Sequence, residues 1–172
     1  KSGAGRGVRP PYVSGSECRW RSSGGQKANE TTGIVGALRA ASRLSARDGA
    51  HFTISPQENP DGYEIHKRRC VLQPHHMHHA SRYTALGDDL EYRSGEGLFE
   101  KAIRVEAEAR TNAKLHVNLH GYPSHEGTRP LSGYVPRSFA MWTLPKGFFL
   151  IIRHHASWEK EAEQLMDHVT RH

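Results

Sequence analysis

The chain of 172 residues contains two cysteines, Cys18 and Cys70. They stand in no CxxC or CxxH spacing, so neither marks a local zinc knuckle, and a disulfide-built scaffold is excluded. One bridge between them is allowed but nothing in the sequence argues for it; two reduced thiols is the simpler expectation. Long apolar runs are also lacking. The longest, residues 147–152, is far short of the 18 or so residues that span a bilayer, so a transmembrane helix is excluded and one buried strand is expected there. Hydrophobic residues make up 35% and the mean hydropathy is −0.73, low for a compact domain but above the range of a disordered chain. No leader pattern opens the sequence. The expected compartment is cytoplasmic. The chain starts at Lys1 rather than Met and stops within a helix-like pattern, so it reads as a segment of something longer.

Positive charge and histidine are abundant. Lys and Arg number 24 against 18 Asp and Glu, a formal net charge of +6, and there are 13 His. Near neutral pH, imidazoles serve metal binding or proton chemistry more than net charge. The basic residues Arg129, Arg137 and Arg153 are scattered without interleaved aromatics. They read as a solvated face, and a nucleic-acid-binding domain is only an alternative.

Residues 1–25, rich in Gly, Ser and Arg, are expected to be loose, ahead of one domain over 26–172. A helix is expected over 31–47, with Thr31 or Thr32 able to cap it and Ile34, Leu38, Ala41 and Ser45 on one face. A short strand follows at 51–55, then a tight turn at Asn59-Pro60-Asp61-Gly62. Residues 66–95 show no sustained period and hold the cluster His75-His76-Met77-His78-His79, expected to face solvent. A helix over 97–112 places Leu98, Ala102, Val105 and Ala109 on one stripe. Residues 114–120 alternate, with Leu115, Val117 and Leu119 on one face and His116, Asn118 and His120 on the other. A last helix carries Trp158, Ala162, Leu165, Met166 and Val169. Alternating strands and helices point to an α/β fold with a mixed sheet flanked by helices.

Three elements in order carry a resemblance. Lys27-Ala28-Asn29-Glu30 precedes a helix, Asn59-Pro60-Asp61-Gly62-Tyr63 follows a strand, and His120-Gly121-Tyr122-Pro123 ends another. This order resembles the zinc carboxypeptidases (carboxypeptidase A-like metallopeptidases), and the His-Gly-Tyr-Pro-Ser-His-Glu stretch is similar to a bacterial branch of them. The resemblance covers roughly residues 20–155. It implies a zinc ion as cofactor, a peptide or amino-acid-conjugate substrate, and peptide-bond hydrolysis by metal-activated water, with neither nucleic acid nor membrane as partner.

A catalytic zinc takes three protein ligands and leaves one position for water. By resemblance Glu30 and His120 are metal ligands, and Lys27 stands where the family has its first His. A protonated Lys cannot ligate, so His116 or His125 would have to help. Arg82 is the counterpart of the residue that holds the substrate carboxylate, with Arg68, Arg69 and Arg93 as competitors. The family's general-base Glu lies further along its chain; here Glu126 is the acidic residue close to His120 and the weak candidate. A non-catalytic, peptide-binding member of the family is the alternative that Lys27 favours.

Overall fold

The structure is a computed structural model that describes residues 1–8, 12–14, 20–75, 78–95, 97–111, 113–121 and 150–171. Its backbone divides into two compact units, residues 1–123 and 124–172. In the first unit the element order is β1 (Tyr12–Ser14), β2 (Trp20–Gly24), α1 (Thr31–Ser45), β3 (Phe52–Ser55), α2 (Pro60–Leu72), two 3-10 turns at His79–Arg82 and Phe99–Lys101, α3 (Ala102–Thr111) and β4 (Leu115–Leu119). The four strands make one mixed sheet in the order β1-β3-β2-β4. β2 runs parallel to both β3 and β4, and β1 closes one side antiparallel to β3. The α/β expectation holds at this level.

The segment expected to be loose supplies β1 and the central strand β2. β2 reads Trp-Arg-Ser-Ser-Gly, which lacks the apolar run usual for a strand covered on both faces. Register explains why. Trp20 and Ser22 lie beside Phe52 and Ile54 of β3, and beside Leu115 and Val117 of β4. This face meets α1, where Ala37, Phe52 and Ile54 form the buried core with Trp20, Ala40, Ala41, Leu44 and Leu119 packed around it. The opposite face carries Arg21, Ser23, Thr53, His116 and Asn118; Arg21 reaches the Arg104 carbonyl and Glu108 of α3, and Ser23 hydrogen-bonds with His116 and Asn118.

α1 starts and ends close to its expected bounds, and its small residues decide how near it comes to the sheet. A side chain at Gly33 would strike the Leu119 carbonyl, so only glycine allows this approach. β3 and β4 likewise fall where alternation places them, and Leu119 faces the core while His116 and Asn118 face away.

Two expectations are corrected. The Asn-Pro-Asp-Gly stretch is not an isolated turn but the start of α2, with Asn59 as its N-cap and Pro60 in the first turn. α2 buries only Asp61 and Gly62, so it shows no apolar stripe to reveal it. In α3 the stripe is rotated: Ile103 and Ala107 are buried, whereas Val105 is 44% exposed and Ala109 is also exposed.

In the second unit the described elements are a 3-10 turn at Ala156–Trp158 and α4 (Glu159–Thr170). Trp158, Leu165, Met166 and Val169 are exposed. Of the strand expected over 147–152, residues 150–152 have no regular structure and 147–149 lie outside the described residues.

Candidate functional site

Because β2, β3 and β4 are parallel, their C-terminal ends share one edge of the sheet, with Gly24 beside Leu119 and Ser23 beside Ser55. In open α/β sheets such an edge is where loops converge on ligands. Three connections meet here: 25–30 after β2, 56–59 after β3, and His120 and Gly121 after β4.

Asn59 ties the first two together. Its amide nitrogen donates to the carbonyls of Gln26 (3.1 Å), Arg82 (3.2 Å) and Tyr83 (3.3 Å), while its Oδ1 accepts from the Gly62 amide at 2.9 Å. The backbone amides of Glu58 and Asn59 donate to the carbonyls of Gly24 and Gly25. Asn59 is fully buried. Asn59, the first residue of the Asn-Pro-Asp-Gly stretch, is thus the knot of the edge.

At the same edge Glu30 and His120, ninety positions apart in sequence, come into contact. Glu30 Oε2 lies 2.7 Å from His120 Nδ1. Glu30 stands immediately before α1, and its amide donates to the Lys27 carbonyl in a tight turn. A side chain at Gly121 would collide with Thr32 and crowd Glu30, so glycine there lets the end of β4 sit against the start of α1. Lys27 is in the same turn as Glu30, three positions back.

His116 is committed elsewhere. An arginine can only donate, so the 2.9 Å contact from Arg21 makes His116 Nδ1 an acceptor. Its Nε2–H then donates to Ser23 Oγ at 2.7 Å, and the Ser23 hydroxyl passes on to Asn118 Oδ1 at 3.3 Å. Asn118 and Gln26 exchange a pair of amide contacts at 3.2 and 3.4 Å. Desolvation of the imidazole, with the charges of Arg21 and Arg104 beside it, pushes the His116 pKa down to about 3. It is a neutral connector under the edge, and both ring nitrogens are used. His125 and Glu126 lie outside the described residues.

Arg82 is near the edge through its backbone, but its guanidinium grips Asp89 with Nε at 2.7 Å and a terminal nitrogen at 2.6 Å. Arg93 is buried in a cluster with Asp88, Thr84 and Glu100. Arg68 pairs with Glu64 on the exposed side of α2. A substrate carboxylate would have to displace Asp89 to reach Arg82.

The structure assembles a second group that the sequence reading missed. His66 and Cys70, one turn apart on α2, meet His78 from the following loop, and their ligand atoms lie within 4.8 Å of one another. This His/Cys/His group could hold a metal. The histidine cluster at 75–79 therefore does not behave as one solvated unit: His75 and His79 are exposed, whereas His78 is buried. The i, i+4 spacing of His66 and Cys70 was the available signal, and it is readable only once α2 is recognised as a helix.

Comparison with protein-family models and with curated proteins finds no match to this chain.

Proposed function

We propose that the chain carries the peptide-processing edge of a zinc carboxypeptidase-like hydrolase, with Glu30 and His120 as the metal-facing pair. The observation that carries this reading is their 2.7 Å approach at the C-terminal edge of the parallel strands. A carboxylate and an imidazole are both zinc donors, and the order of motifs along the chain adds to the likeness.

The donor set is incomplete. A catalytic zinc needs three protein ligands, and the third corner in the family's pattern is Lys27, whose ammonium repels a divalent cation. Two donors fit weak binding and do not make a catalytic centre. When three ligands hold it, such a zinc supplies a polarised carbonyl and an activated water. In this chain Asn59 fixes the edge, Gln26 and Asn118 lie beneath it, and Arg82 offers a guanidinium once Asp89 yields. Of these, Arg82, partly exposed, is the group a peptide carboxylate would meet, whereas Asn59 and Gln26 are buried and shape the edge from below. A non-catalytic, peptide-binding role is the second reading, and Lys27 is the observation that favours it.

The deciding experiment compares release of C-terminal amino acids by the chain as it stands and by Lys27→His, with zinc added. Little or no release by the first and chelator-sensitive release by the second supports a degenerate hydrolase. No release by either, with peptide binding retained, supports the binding role. Failure of both activities removes the reading.

A further inference from the structure

We propose that His66, Cys70 and His78 form a zinc site that fastens the loop after α2 to the helix. The inference is independent of the function proposed for Glu30 and His120, because it uses none of the residues at the strand ends.

The spacing of the three donor groups fits a zinc ion. His78 Nδ1 is 3.2 Å from His66 Nδ1 and 3.6 Å from Cys70 Sγ, and the His66 ring lies against that sulfur with Nε2 at 3.4 Å and Nδ1, the nitrogen that also faces His78, at 4.0 Å. Tetrahedral zinc, with bonds of about 2.05 Å to nitrogen and about 2.3 Å to sulfur, separates two nitrogens by about 3.4 Å and a nitrogen from a sulfur by about 3.6 Å. The observed triangle matches those edges to within a few tenths of an ångström.

Orientation adds to spacing. His78 Nε2 is 2.7 Å from the Gln73 carbonyl, which can only accept. The proton of His78 is therefore on Nε2, and the Nδ1 lone pair is turned toward His66 and Cys70. An outer hydrogen bond that fixes the tautomer and aims the other nitrogen is the usual arrangement of a zinc histidine. The backbone is shaped to the same end. His78 has φ +48°, a left-handed conformation that a non-glycine residue adopts at a cost, and its side chain is 1% exposed.

Three protein donors leave a fourth position for water. A thiolate with two imidazoles favours zinc over magnesium or calcium, which prefer oxygen. On binding, the Cys70 thiol loses its proton to solvent and a zinc–sulfur bond forms, so uptake releases acid. The ion would link α2 to the segment leading into His79–Arg82, and thereby to the Arg82 and Tyr83 carbonyls that Asn59 holds.

The test is cobalt and zinc titration of the full chain. One equivalent of Co²⁺ should give a thiolate-to-cobalt charge-transfer band in the near ultraviolet, and Zn²⁺ should displace it. Cys70→Ser should abolish the band, and His78→Ala should weaken binding by more than about 100-fold, beyond the loss caused by removing an outer partner. His120→Ala should leave the band intact. Circular dichroism checks that each variant folds. If His78→Ala fails to fold, protection of Cys70 from alkylation by one equivalent of zinc in the unmodified chain reads the same site. A band that survives Cys70→Ser assigns the thiolate to Cys18 and overturns the proposal. Absence of any thiolate band, or a Cys70 alkylated equally fast with and without zinc, also overturns it.

Discussion

Replacing Asn59 by alanine should cost the fold about 3 kcal/mol. Two effects add. The Oδ1 cap on the Gly62 amide disappears, worth about 1 kcal/mol at a helix N-terminus. The three carbonyls of Gln26, Arg82 and Tyr83 lose a shared donor in a buried place, and leaving buried acceptors unsatisfied costs about 1–3 kcal/mol. Asn59→Asp separates the terms. The carboxylate keeps the cap on Gly62, and near an N-terminus it also gains from the helix dipole. It nevertheless turns an acceptor toward three carbonyl oxygens, so it should destabilise at least as much as alanine at neutral pH, and less in acid once protonated. Urea unfolding of both variants at pH 7 and pH 4 measures this. If aspartate proves as stable as asparagine at pH 7, Asn59 serves only as a helix cap and does not hold the loops together.

Three further outcomes follow from the same contacts. Gly33→Ala should destabilise by about 2 kcal/mol, because its methyl group meets the Leu119 backbone, and thermal melts should show a fall far beyond that of Gly36→Ala, whose methyl meets only a side chain. His116 is neutral when folded, with a pKa of about 3 against 6.5 unfolded, so its contribution is lost as pH falls through that window. His116→Gln should flatten the acid limb by about 1 kcal/mol, a value reduced for the water that reaches the sheet edge, and unfolding across pH 4–7 checks it. Glu58 has the opposite sign. Burial, opposed by Arg104 and Arg21, raises its carboxyl to about 7 from 4.5. Stability from this group is full below about 4.5 and falls as pH rises to about 7, by up to about 3 kcal/mol. Glu58→Gln should remove that slope, and an unchanged slope would assign it to another group.

The parts of the fold that follow apolar periodicity were legible in the sequence. β3 and β4 lie close to where Phe52 and Leu115 begin their patterns, because each puts one side against the shared apolar core; α1 keeps its expected bounds but turns Ala37, Ala40 and Leu44 toward that core and leaves the expected stripe residues Leu38 and Ser45 exposed. β2 was hidden because the buried side chains on its polar face, Arg21 and Ser23, are satisfied by His116, Asn118 and Glu108. α2 was hidden because a helix that buries Asp61 and Gly62 leaves no hydrophobic stripe, although Asn59 followed by Pro60 is a cap signal. Of the candidate site, Glu30 and His120 come within 2.7 Å of each other where β4 ends and α1 begins. The engagement of Arg82 by Asp89 and of His116 by Arg21 depends on neighbours far away in sequence or inside an aperiodic loop, so no local pattern announces it. The same holds for His78, which joins His66 and Cys70 from beyond the end of α2.

The most direct measurement is the number of zinc ions retained after dialysis by the chain, by Lys27→His, and by Lys27→His with His120→Ala. With Lys27 replaced, Glu30, His120 and the new imidazole form a three-ligand centre, so Lys27→His should hold one more tightly bound zinc than the chain as it stands. His120→Ala should remove that additional ion and no other, whatever the His66, Cys70 and His78 group retains. Equal zinc content in all three proteins would contradict the assignment of Glu30 and His120 as a metal-facing pair.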